Sequence, residues 1–195
     1  MQFIILKKIF KKASFTILGD VNQTINPYYK YNSLEELNNI ILDSKYLRLT
    51  KTYRSSEEII EFANSILNLN HIVAVRNSNH KPVIKRNTED IDSIKKDLDY
   101  GIDNYKRVAI ITKNNYETNK LYNLLKDIYN ISNMLDKELV NNPNLLIIPS
   151  YLAKGLEFDF VIIYTDINNK YTESEKYLYY VSVTRSQHEL IVYNQ

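Results

Sequence analysis

A chain of 195 residues, 44% apolar and 25% charged with a net charge of +2, can bury one sizeable core, and its bulk charge argues neither for nor against a nucleic-acid partner. The absence of cysteine excludes disulfides, thiol catalysis and a Cys-ligated zinc, and His71, His80 and His188 are too few for a His-rich metal site. No apolar run approaches the ~20 residues that span a bilayer, and the N-terminus lacks the segment order of a signal peptide, so no membrane partner is expected and the cytoplasm is the default.

In chain order, Phe3, Leu6, Ile9 and Phe10 fall at helical spacing and predict a short amphipathic helix. Phe15 to Leu18 reads as a buried strand. Leu34, Leu37, Ile40 and Ile41 predict a second helix, with Ser33 as N-cap and Glu36 completing a capping box. Tyr46 to Leu49 reads as a short strand. Ser55 to Leu67 predicts a helix capped by Ser55, with Glu58 at the box position and Ile59, Phe62, Ala63 and Ile66 on one face. Arg76 to Pro82 is a polar loop and Val83 to Lys85 a weak strand. Ile91, Ile94, Lys95 and Leu98 mark a helix, and Arg107 to Thr112 a buried strand. Asn115 to Lys126 predicts a helix with Leu121, Leu124 and Leu125 inward. Residues 130–144 are polar and ambiguous. Leu145 to Ile148 and Phe158 to Tyr164 read as strands, Ser174 to Ser182 as a helix, and Leu190 to Tyr193 as a last strand. Strands that alternate with helices imply an α/β fold, a mostly parallel sheet with helices on both faces. In such folds ligands sit at the carboxyl ends of the strands, so the polar residues that follow strands deserve inspection.

Four clusters stand out. Gly19 to Gln23 (GDVNQ) combines a turn-forming glycine with a carboxylate and an amide. Leu49 to Ser56 (LTKTYRSS) puts Arg54 beside a helix start, where a cation is disfavoured unless an anion is also present. Ser150 to Asp159 (SYLAKGLEFD) joins Lys154, the flexible Gly155 and Glu157 ahead of a strong strand. Leu178 to Ser186 (LYYVSVTRS) ends an apolar run in Arg185. Each has a plain structural reading, as a turn, a surface ion pair, a polar loop or a residue just past a core element.

Together, and in this order, they resemble the C-terminal motifs of superfamily 1 helicases of the UvrD/Rep type. GDVNQ resembles motif III, TYRSSEEIIEFAN motif IV, AKGLEFDFVII motif V and YVSVTRS motif VI. The resemblance implies a second RecA-like domain (P-loop NTPase type) over residues 25–195, preceded by residues 1–24 as the tail of the first. It implies that Arg54 and Arg185 reach the γ-phosphate of ATP, and that Gln23 contacts that phosphate or the attacking water. Tyr53 would stack on adenine. Glu157 would bond the ribose, beside Gly155 and Lys154. Arginine suits the first role because its guanidinium stays charged and donates in a fork. For single-stranded DNA the resemblance implies Tyr28 as a stacking aromatic, with Ser150 and Tyr151 at strand-contacting positions.

Neither a phosphate loop nor an Asp-Glu pair after a strand occurs in the sequence. ATP and Mg2+ are therefore expected only with the missing first RecA-like domain, and the chain alone is expected to hydrolyse no ATP and to hold no nucleotide. Phe3, Leu6, Ile9 and Phe10 would then lack their cover and expose an apolar patch. Arg54 and Lys154 are 100 residues apart, too close for a large insertion. That spacing and GDVNQTINPYY resemble the compact helicase IV/HelD-type branch, which brings RNA polymerase in as an alternative partner. A non-catalytic α/β binding module is the third reading. Thr52, Tyr151 and Tyr29 depart from the family's Asn, His and Arg.

Overall fold

The computed structural model describes residues 2–25, 33–136 and 144–195, which form two compact units, Met1–Leu49 and Thr50–Gln195. The unit boundary falls further along the chain than the division expected after residue 24.

In the first unit, helix α1 (Gln2–Ile9) buries none of its residues, and Ile5, Ile9 and Phe10 are each at least half exposed. The apolar patch expected here is thus present. Phe15–Leu18 is not a strand: its backbone makes no ladder among the described residues, and Leu18 is exposed. Asp20 caps a single 3-10 turn, Val21–Gln23, accepting from Asn22 N and from Gln23 Nε2, both at 2.9 Å. The Ser33/Glu36 capping box forms as expected, although it starts a 3-10 helix, Leu34–Asn39, and not an α-helix. Tyr46–Leu49 is also not a strand; Leu47 and Leu49 face solvent.

The second unit is built on two parallel sheets. The smaller pairs β1 (Lys51–Thr52) with β2 (Val73–Ala74). The larger contains β3 (Ile84–Arg86), β4 (Val108–Thr112), β5 (Ser132–Asn133), β6 (Leu145–Pro149), β7 (Phe158–Tyr164) and β8 (Ser186–Tyr193). Their order is β3-β8-β7-β4-β6-β5, and every neighbouring pair is parallel. Among the described residues four helices cover it: α2 (Glu57–Leu67), α3 (Ile91–Asn104), α4 (Asn115–Leu125) and α5 (Lys176–Val183).

The central strands read as unbroken apolar runs because both faces are covered. Alternate residues serve opposite cores. Ala109, Ile111, Ile148, Val161, Ile163 and Val192 pack with Ile59 and Ala63 of α2 and Tyr179, Tyr180 and Val183 of α5. Val108, Ile110, Ile147, Phe160, Ile162 and Ile191 pack with Ile94 and Leu98 of α3 and Leu121 and Leu125 of α4. Leu124, expected to point inward, is instead half exposed, since only the 121/125 edge of α4 meets the sheet.

Gly101 marks where α3 comes closest to the sheet. A Cβ there would lie 2.6 Å from Phe160 Cδ1. Phe160 is fully buried, stacked on Tyr105 at 5.6 Å and edged by Tyr100 at 6.0 Å, so it cannot swing aside. Gly101→Ala gains up to ~1 kcal/mol in helix propensity, but overpacking costs about 1–3 kcal/mol. The expected outcome is a lower urea midpoint than the parent's; a raised midpoint would show that the helix can move off the strand.

Candidate functional site

The chain segments that precede β7 and β8 meet the loop that precedes α2 at the amino edge of the large sheet. Ser55 Oγ donates to Ser186 O at 2.5 Å, and Ser56 N donates to Gln187 O at 3.0 Å. Both serines are buried. This tie displaces Ser55 from its expected capping role. Ser56 takes the N-cap position of α2 without a side-chain cap bond, and the Glu58 carboxylate turns to Ser78 Oγ and His80 N. Burial alone would raise the Glu58 carboxyl, but its hydrogen bonds from Ser78 and from backbone amides together outweigh that and hold it below its ordinary range.

The tie sets Arg54 against Glu157. Arg54 Nε lies 2.6 Å from Glu157 Oε1, and Gln187 Nε2 donates to Glu157 Oε2 at 2.6 Å. The Arg54 and Glu157 side chains are 39% and 33% exposed, so water screens the pair and its net contribution is ~0–1 kcal/mol. Such a pair can aim a guanidinium while leaving it free to exchange its carboxylate for a phosphate. Tyr53, next in the chain, has an exposed ring. Gly155 adopts φ +89°, a conformation that favours glycine, and Lys154 beside it is exposed.

Arg185 occupies a different environment. It is only 1% exposed. Its Nε donates to Val181 O at 2.9 Å, Nη1 to Leu156 O at 3.2 Å and Nη2 to Thr184 Oγ1 at 3.0 Å. Val181 is in the last turn of α5, so the guanidinium serves the carbonyl end of that helix, where a cation is favoured. It also fastens the helix to the loop ahead of β7. An apolar run ends in arginine here because a helix ends there.

Ser150 and Tyr151 lie at the opposite, carboxyl end of the sheet, after β6. Ser150 is fully buried and its hydroxyl donates to Lys113 O at 2.9 Å. Tyr151 is 43% exposed and its hydroxyl donates to Asn115 Oδ1 at 2.9 Å. The structure thus brings Arg54 and Glu157 together, with Tyr53 and the Arg185 segment on the same amino edge, and keeps Ser150 and Tyr151 apart from them. The expectation that ligand-facing residues follow strands fits Tyr53 and Arg54, which follow β1, and Ser150 and Tyr151, which follow β6, whereas Glu157 and Arg185 directly precede β7 and β8. Gln23 belongs to the first unit, and Tyr28 lies outside the described residues.

Sequence reasoning missed Gln187, which bonds Glu157 directly, and Arg76, which bonds the Arg54 carbonyl. Their only sequence signal is position: Gln187 directly follows Thr-Arg-Ser, and Arg76 opens the polar loop. Among the described residues no group of three or more His, Asp or Glu side chains could hold a metal ion. No helix among them is long and apolar enough to cross a membrane.

The parallel sheet covered on both faces is an α/β fold, and it matches that of a helicase C-terminal domain. Residues 102–195 match the family of UvrD-like helicase C-terminal domains. The crystal structure of the C-terminal domain of a possible DNA helicase from Lactobacillus plantarun WCFS1 is similar to this chain, with a TM-score of 0.58 and 28% identity over 73% of this chain and 86% of that one. No curated protein matches the chain.

Proposed function

We propose that this chain supplies the second RecA-like half of an ATP-driven superfamily 1 motor on single-stranded DNA. The observation that carries the reading is the Arg54–Glu157 pair, far apart in sequence yet held 2.6 Å apart, with Tyr53, the residue before Arg54, presenting an exposed ring. These groups fit half of a nucleotide site: a ring to stack on a base, a carboxylate to accept from a ribose hydroxyl, and a guanidinium for the γ-phosphate. ATP with its Mg2+ would be held chiefly by a companion domain that carries the phosphate loop. ATP supplies the phosphoryl group, and charge building on it in the transition state is what Arg54 and Arg185 would offset. Lys154 and Gly155 would flank the nucleotide. Tyr151, and Ser150 through the shape it gives its loop, would serve the DNA track at the other edge. Between Arg54 and Lys154 the described elements are strands of the two sheets, the helices α2, α3 and α4 and one 3-10 turn, Ser150–Leu152, which favours the compact branch.

The test joins this chain to its companion domain and measures DNA-stimulated ATP turnover. Arg54→Ala should cut kcat by about 10³-fold or more, by analogy with other phosphate-facing arginines. The chain alone should show no turnover. Full activity in the Arg54→Ala protein would sink the reading.

A further inference from the structure

The polar loop that follows β2 has no role in the reading above, yet it is tied to the arginine loop at several points. Parallel pairing of β2 with β1 continues through Val75 N to Thr52 O at 2.8 Å, which delivers the next residue, Arg76, beneath the arginine loop. Arg76 Nη1 donates to Arg54 O at 2.9 Å and to Gln187 O at 3.4 Å. Its Nη2 lies 3.3 Å from His188 Nδ1. Further along, Asn79 Nδ2 donates to His188 O, and Ser78 and His80 bond Glu58 of α2. One guanidinium therefore spans the residue that carries the phosphate-facing side chain and the strand that follows Arg185.

We propose that Arg76 is a positioning residue for Arg54: it fixes the Arg54 backbone against β8 so that the guanidinium meets Glu157 before nucleotide arrives. This rests on the nucleotide-facing reading of Arg54. The chemistry favours arginine at position 76. Only a planar fork can donate to two carbonyls with one nitrogen and reach an imidazole with the other. A neutral His188 can accept from it, and burial first, then the facing Arg76, hold that histidine below its usual range. Asp159 opposes this shift, while Arg107 and Lys81 reinforce it. The exposed Arg54–Glu157 pair is too weak to order a loop by itself, so its geometry has to come from the backbone beneath it.

The test reads the Arg54 Nε–H resonance of the 195-residue chain by nitrogen-15 NMR, assigned by its loss in Arg54→Lys and its shift in Glu157→Gln. Arg76→Met should collapse that resonance into fast exchange with water while the folded dispersion of the β4, β6 and β7 amides persists. Arg76→Lys keeps the charge but not the span, and should do the same, which guards against a failure of the methionine variant to fold. In the protein joined to its companion domain, Arg76→Lys should lower kcat roughly 10–10²-fold with the KM for ATP within about twofold. A protected, unshifted Arg54 resonance in either folded variant overturns the proposal. Should Arg54→Ala leave turnover intact, the nucleotide reading fails, while the resonance still decides whether Arg76 positions Arg54.

Discussion

Replacing Arg185 by Ala is expected to cost the domain about 2–4 kcal/mol of stability and, on the function proposed above, most of the ATP turnover of the chain joined to its companion domain. The resemblance implies a catalytic loss, and the burial of the side chain adds a loss of stability to it. The side chain is among the largest fully buried ones in the chain, and its fork closes on Val181 O, Leu156 O and Thr184 Oγ1. Truncation leaves a cavity at the end of α5, strips the donor from the part-buried Leu156 O and leaves Val181 O to its bond from Thr184 Oγ1 at 3.0 Å. Each carbonyl left unsatisfied costs about 1–3 kcal/mol. Arg185→Lys should recover part of the stability, since a cation remains at the helix end, but not the fork. Urea unfolding of the 195-residue chain measures the first effect without any nucleotide. An Arg185→Ala chain with an unchanged midpoint would mean that the guanidinium is not held at the helix end. If the residue acts in catalysis, its cap must be exchanged for phosphate when ATP arrives, so turnover and stability draw on one side chain.

The second large effect lies at the opposite edge. Glu117 on α4 is fully buried. Its Oε1 accepts from Asp166 N at 3.0 Å and from Asn169 Nδ2 at 2.8 Å, and its Oε2 accepts from Lys113 N at 3.0 Å. One carboxylate thus joins the turns after β4 and β7. Glu117→Ala should cost about 3–5 kcal/mol, because three donors lose a charged acceptor in a dry site. Glu117→Gln retains the shape but turns an NH2 group toward donors, and should fall between Ala and the parent. Loss of amide protection at Lys113 and Asp166 in hydrogen exchange would locate the damage. A Glu117→Ala chain within ~0.5 kcal/mol of the parent would refute this account of the loop.

Much of the second unit is legible locally. Val108 to Thr112, Leu145 to Ile148 and Phe158 to Tyr164 are apolar runs of strand length, and all three form strands at nearly the expected bounds. The helices that cover them show their period because one face of each meets the sheet. The strands expected at Phe15–Leu18 and Tyr46–Leu49 show the limit of that logic. An apolar run is only a candidate, and without a ladder partner among the described residues its side chains stay in solvent. The reverse holds for β1 and β2. Two residues each are too short for any periodicity, and only their mutual pairing makes them strands.

The sequence by itself determined the α/β class, the order of the central elements and the segments that carry Arg54, Glu157 and Arg185, because burial pattern and motif spacing are local properties. Only the tertiary structure decided which end of the sheet each segment occupies. It also showed that Arg54 leans on Glu157, that Arg185 closes a helix, and that Arg76 lies beneath both segments. Those facts depend on parallel register and on contacts between residues as much as 131 positions apart, such as Ser55 with Ser186, and no local pattern encodes them.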